Sequence, residues 1–149
     1  MALLIICVQK NKTMGKITVQ VAVNAPIEKV WDKLNNPKDI EQWNQASPDW
    51  HCLNASNNLE VGGKLKSTMA AKDGSFSFDF EGIYDEVVPQ KFIKYHMEDG
   101  RTVEISFEEK DNQVLVTETF DAEDQNPEEM QQEGWQAILN SFKNHVETT

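Results

Sequence analysis

The chain has 149 residues, of which 39% are hydrophobic, with four Trp and a formal net charge of -11. That length and apolar content suit one globular domain with a substantial core and exclude a disordered chain. The acidity argues against nucleic acid and anionic membrane surfaces as partners, because both require basic patches.

Residues 1–13 run from an apolar start, Leu3 to Val8, into a polar tail. They lack the basic start, long apolar stretch and small-residue cleavage site of a secretory signal. Met14-Gly15-Lys16 resembles a second start, so 1–13 are predicted to be an extension, disordered or added as an edge strand, ahead of one domain over 14–149. Cys7 and Cys52 are too few for a disulfide framework, which implies free thiols in a reducing, cytoplasmic setting. No run approaches the ~20 apolar residues that span a bilayer, so no membrane insertion is expected.

Lys16 to Asn24 alternates apolar and polar residues and predicts a strand buried through Ile17, Val19, Val21 and Val23. Ala25-Pro26 opens a helix carrying Ile27, Val30, Trp31 and Leu34 on one face, and Asn36-Pro37 begins a shorter one with Ile40 and Trp43 inward. From Trp50 onward the period falls to two. Strands are predicted at Trp50 to Ala55, at Leu65 to Ala71, along Phe76, Phe78, Phe80, Gly82 and Tyr84, and from Phe92 to Met97. Two more follow along Val103, Ile105 and Phe107 and along Val114, Val116, Glu118 and Phe120. Asp73-Gly74, Asp99-Gly100 and Asp111-Asn112 mark hairpin turns, and Val61-Gly62-Gly63 a further turn.

The last element is a helix from Asn126 to Val146, with Asn126 as N-cap and Pro127 at the first helical position. Met130, Gly134, Ile138 and Phe142 form one apolar row along it, and Trp135, Leu139, Phe142 and Val146 another. The fold class is therefore α+β, in the order strand, two helices, about six antiparallel strands, long helix. One face of the late strands is apolar and the other acidic, with 5 Lys/Arg against 18 Asp/Glu over residues 76–149. The apolar face must curve around the last helix. A cavity between them is either filled by side chains or open.

No metal or phosphate motif occurs. His51, His96 and His145 are scattered, and His51 and Cys52 alternate to opposite faces of a strand. No metal and no cofactor are expected. Glu118 alternates onto the helix side, where an apolar surrounding would raise its pKa; it is the foremost candidate acid, base or ligand anchor, with the hydroxyl of Tyr84 or Tyr95 as the alternative acid or base. Candidate ligand-lining residues are Trp43, Trp50, Met69, Phe78, Phe80, Tyr84, Tyr95, Glu118, Trp135, Ile138, Leu139 and Phe142, with Met97 beside Tyr95. Without a convergent catalytic set, they point to binding of a small hydrophobic molecule by a monomer or homodimer.

Several short stretches carry a resemblance: Ala25-Pro26-Ile27-Glu28-Lys29-Val30-Trp31, Asn36-Pro37 to Trp43, Val61-Gly62-Gly63, Asp73-Gly74, Phe80-Glu81-Gly82, Glu118-Thr119-Phe120 and Gly134-Trp135-Gln136-Ala137-Ile138-Leu139. Their order and spacing over residues 16–147 resemble the Bet v 1-like (START-like) superfamily, and within it the group named after the C-terminal domain of the activator of Hsp90 ATPase. The resemblance implies a helix-grip fold, a curved antiparallel sheet wrapped around a long C-terminal helix. It also implies a cavity for lipid- or polyketide-like molecules. Members of the superfamily include polyketide cyclases and dehydratases, where Glu118 would serve as acid or base, and Hsp90 co-chaperones. The eukaryotic Hsp90 activator carries a further N-terminal domain for which 149 residues leave no room, so the resemblance implies a container more than an Hsp90 partner.

Overall fold

The computed structural model describes residues 15–149; the extension expected at 1–13 lies outside them, as does Cys7. The chain runs β1 (Lys16–Val23), α1 (Ile27–Asn35), α2 (Pro37–Trp43), β2 (Trp50–Asn57), β3 (Lys64–Ala71), β4 (Ser77–Val88), β5 (Phe92–His96), β6 (Thr102–Lys110), β7 (Gln113–Asp121) and α3 (Glu128–Thr148). The strands form one antiparallel sheet in the order β1-β7-β6-β5-β4-β3-β2. The helices α1 and α2 carry the chain from the β1 edge to the β2 edge, and the sheet curls around α3. This is the expected α+β helix-grip arrangement.

Local chemistry explains the turns. Gly74 and Gly100 take positive φ at the β3–β4 and β5–β6 hairpins. Asp111 and Asn112 both do so in the two-residue β6–β7 turn, where a primed turn matches the strand twist. Asn36 ends α1 and caps α2: its Oδ1 accepts from the Lys38 amide at 3.1 Å, and Pro37 occupies the first helical turn.

Two bulges redirect side chains. Asn54, at φ 51, sits in a register shift between Leu53 and Ser56, so β2 runs on beyond Ala55 and Asn57 turns inward. A second shift between Tyr84 and Glu86 puts Asp85 and Glu86 both outside and returns Val87 to the core. Gly82 has a different reason to be glycine: a Cβ there would lie 2.5 Å from the Tyr95 ring.

The start of α3 departs from expectation. Asn126 is not its cap; the first helical residue is Glu128, and Pro127 precedes it without a side-chain cap. The loop is instead closed by Gln131, whose Nε2 donates to the carbonyls of Glu123 (3.0 Å) and Asn126 (2.8 Å) and whose Oε1 accepts from the Glu123 amide (2.9 Å). The Glu123 carboxylate in turn accepts from the Gln125 and Asn126 amides. With Gln131 turned inward, Met130 faces solvent at 57% exposure, not the apolar row expected of it.

The solvent face of the sheet is less uniformly acidic than its composition suggests. Cross-strand pairs Lys64–Glu81 (3.1 Å), Lys66–Asp79 (3.7 Å) and Lys94–Glu104 (4.0 Å) place cations among the acids. Exposed pairs of this kind contribute at most about 1 kcal/mol each and serve chiefly to balance charge.

Candidate functional site

The face of α3 meets two different surroundings. Leu139, Phe142 and Val146 are fully packed, in one core with Val23, Val30, Val114 and Val116. Trp43 meets Phe142 edge-on at 5.2 Å. Nearer the start of the helix, Gln131, Trp135 and Ile138 stand over an unfilled space. This cavity measures about 460 Å³ and is partly open to solvent. Its size falls in the range of roughly 300–1,000 Å³ typical of small-molecule sites.

Inward residues of six strands line it: Asn57 of β2; Leu65, Ser67 and Met69 of β3; Phe78, Phe80 and Tyr84 of β4; Ile93 and Tyr95 of β5; Ile105 of β6; Glu118 and Phe120 of β7. Leu34, Ile40 and Trp43 of the two short helices close one end. A continuous aromatic wall shapes it. Trp135 stacks on Phe120 at 3.9 Å and 14°, and Phe80 meets Trp135 edge-on at 6.3 Å. Tyr95 meets Phe80 at 6.2 Å and Tyr84 at 6.0 Å, both edge-on. Each such contact adds about 0.5–1.5 kcal/mol beyond area burial, which keeps the wall rigid.

Polar groups inside the cavity are few. The Tyr84 hydroxyl donates to Asn57 Oδ1 at 2.5 Å, and Asn57 Nδ2 donates to the Asn35 carbonyl at 2.9 Å. Backbone bonds from Gly62 to the Tyr84 carbonyl and from Tyr84 to the Gly63 carbonyl fix that tyrosine, giving the expected Val61-Gly62-Gly63 turn a structural task. Glu118 differs. It sits in mid-strand opposite Val19 and Ile105, is 9% exposed, and makes no hydrogen bond or ion pair among the described residues. Burial alone pushes its carboxyl up to about 7, because a charge is poorly solvated among apolar groups. The Tyr95 hydroxyl likewise has no partner among the described residues, and burial, with the Glu118 charge adding to it, raises its pKa well above the usual tyrosine value. Burial raises Tyr84 as well, and its hydrogen bond to Asn57 offsets only part of that.

Nine of the twelve expected lining residues reach the cavity wall: Trp43, Met69, Phe78, Phe80, Tyr84, Tyr95, Glu118, Trp135 and Ile138; Met97 joins them. Three do not. Leu139 and Phe142 are sealed in the filled half of the core, since α3 approaches β1, α1 and α2 closely there. Trp50 lies at the rim, edge-on to Phe76 (6.3 Å) and Phe78 (6.1 Å). Phe78 is itself 46% exposed and so belongs to both rim and wall.

Strand alternation missed Asn57, because the Asn54 bulge reverses the parity of β2 after Leu53. It also missed Arg101, Glu123, Asn126 and Gln131 at the far end of the cavity, which belong to turns and a helix start. The one signal for Gln131 was a polar residue one step from an apolar row. Cys52 is buried, its thiol pushed up by that burial, with Asn44 Nδ2 3.8 Å away. Among the described residues no three His, Cys, Asp or Glu side chains are grouped to hold a metal ion, and no helix is long and apolar enough to cross a membrane.

Residues 24–147 match the model of the activator of Hsp90 ATPase homolog 1-like protein family. An AHSA1-like protein from Aeromonas hydrophila is 42% identical and superposes with a TM-score of 0.84 over 90% of this chain and 93% of its own. A protein from Cytophaga hutchinsonii is 53% identical, with a TM-score of 0.78 over 89% of this chain and 92% of its own. A Nitrosomonas europaea protein at 18% identity and a TM-score of 0.78, covering 91% of this chain and 96% of its own, shares the fold. No curated protein matches.

Proposed function

The chain belongs to the activator of Hsp90 ATPase homolog 1-like family, and on that premise we propose that it binds a small hydrophobic molecule, lipid- or polyketide-like, between α3 and the sheet. One observation carries this reading: a space of about 460 Å³ walled by Phe80, Phe120, Trp135, Ile138 and Met69. An unfilled apolar space of that size costs the lining side chains their contacts, and a guest restores them.

Chemistry at Glu118 is the second reading, favoured by its carboxyl near 7 and by Tyr95 on the wall of the same cavity. Binding is the better supported of the two. An acid or base needs an orienting partner and a second group that titrates in range. Glu118 has no such partner among the described residues, and both tyrosines are pushed up out of that range. Recognition of an Hsp90-type chaperone would use the outer face of the sheet, where cross-strand ion pairs already engage several of the acids.

Thermal denaturation in the presence of fatty acids and aromatic polyketides tests the proposal, with Ile138→Trp as control. Binding raises the midpoint of the parent protein and leaves that of Ile138→Trp, whose indole fills the space, unmoved. Equal shifts in both proteins, or none in either, would contradict it.

A further inference from the structure

Glu118 and Tyr95 are the unusual occupants of this cavity. Buried polar groups normally find partners, and leaving one without costs about 1–3 kcal/mol. Tyr84 obeys that rule through Asn57. Glu118 and Tyr95 have no protein partner among the described residues; their polar atoms are left to whatever occupies the cavity that both line. Across the intervening β6, Glu118 pairs with Ile105 and Tyr95 with Val103, so the two stand one inward step apart along one wall of the cavity.

We infer that the ligand carries a carbonyl oxygen that accepts a hydrogen bond from the Glu118 carboxylic acid, with the Tyr95 hydroxyl beside it as a second donor, while the rest of the molecule is apolar. The inference rests on the binding reading above and narrows it to one chemical class. A carbonyl oxygen has two lone pairs and suits two donors. The acid form is the cheap one here, since burial holds the carboxyl near 7. The competing guest is a cationic amine paired with the carboxylate. It would have to lose its own hydration as well, and buried ion pairs at best roughly break even against that penalty.

The other groups around the site do not override this chemistry. Beyond Tyr95 of β5, the titratable or charged cavity residues are Tyr84 of β4, Arg101 of the β5–β6 turn and Glu123 of the β7–α3 loop. The arginine is drawn to Asp99, with Nε donating at 2.7 Å. Glu123 is tied to the Gln125 and Asn126 amides. The cavity residues of β6 and α3 carry no charge, and those β1 sets opposite and beside Glu118 (Val19, Gln20, Thr18) are uncharged.

Fluorene and fluorenone share one frame and differ by a carbonyl oxygen, so Trp fluorescence titrations with the pair isolate that group; decylamine supplies the cationic arm. At about pH 6 fluorenone is expected to bind roughly tenfold tighter than fluorene, the ratio for one added hydrogen bond. That preference shrinks by about pH 8.5 as the acid ionises, because fluorenone affinity falls more steeply than that of fluorene. Glu118→Gln keeps an N–H donor and retains the preference at both pH values. Glu118→Leu abolishes it, and Tyr95→Phe reduces it. If fluorene and fluorenone bind equally at every pH, the carbonyl inference fails and the container stands. If neither binds, the container reading fails and this one with it. Decylamine binding tighter than fluorenone, and lost in Glu118→Gln, would replace the carbonyl with a cation.

Discussion

Ile138 and Leu139 are neighbours on one helix, both branched aliphatics facing the sheet, yet they do different work. Leu139 is sealed in a filled core, 2% exposed. Ile138 forms part of the wall of an open cavity. The same contrast divides the whole of α3. Its C-terminal half meets β1 and the two short helices, which approach closely and leave no gap. Its N-terminal half faces the inward residues of β3 to β7 across the cavity. Whether an apolar residue fills or lines is decided by the distance of what faces it, not by its own chemistry.

Truncation should separate the halves. Leu139→Ala is expected to destabilise by about 3 kcal/mol, as loss of a fully packed aliphatic does. Ile138→Ala should cost about 1 kcal/mol, since part of the side chain already borders empty space. Urea unfolding followed by Trp fluorescence measures both. Equal costs would mean that the cavity closes in solution.

Glu118 gives a smaller effect, confined to the cavity half and dependent on pH. The unfolded chain releases this proton near the ordinary glutamate value of 4.5, and the folded one at about 7. Below the lower value both states hold the proton and burial exacts no charge penalty. As pH rises through the window, the folded state loses stability relative to the unfolded state, by at most roughly 3 kcal/mol above the upper value. Glu118→Gln cannot ionise. It should match the parent near pH 4.5 and exceed it by about 2 kcal/mol at pH 8. A difference between the two that does not grow with pH would show that Glu118 is solvated.

Gly134 offers the smallest test. A Cβ there would meet nothing within 4 Å, so Gly134→Ala should stabilise α3 by about 0.5–1 kcal/mol through helix propensity alone. Loss of stability would place an unsuspected contact above the cavity.

Much of this was legible before any coordinates. Period-two alternation found the strands and the inward faces of most of them, and the Asp-Gly and Asp-Asn pairs found three of the hairpins, because both are local properties of the backbone. Glu118 stood out for the same reason, as an acid in an apolar row. Alternation failed where the backbone adds a residue, as at Asn54, and so Asn57 went unseen. It could not rank Leu139 and Phe142 against Ile138 and Trp135, because curvature of the sheet is a property of all seven strands together. The start of α3 was missed by one residue. Asn126-Pro127 has the composition of a cap, but the inward Gln131 satisfies the loop amide and carbonyls that a cap would otherwise leave to solvent.

The most direct test of an open cavity under one half of α3 is side-chain NMR during titration with fluorene. Saturable shifts are expected at the Ile138, Met69 and Met97 methyls and at the Trp135 indole N–H, with the Leu139 and Val146 methyls still. No saturable shifts, or shifts spread evenly over both halves of the helix, would contradict it.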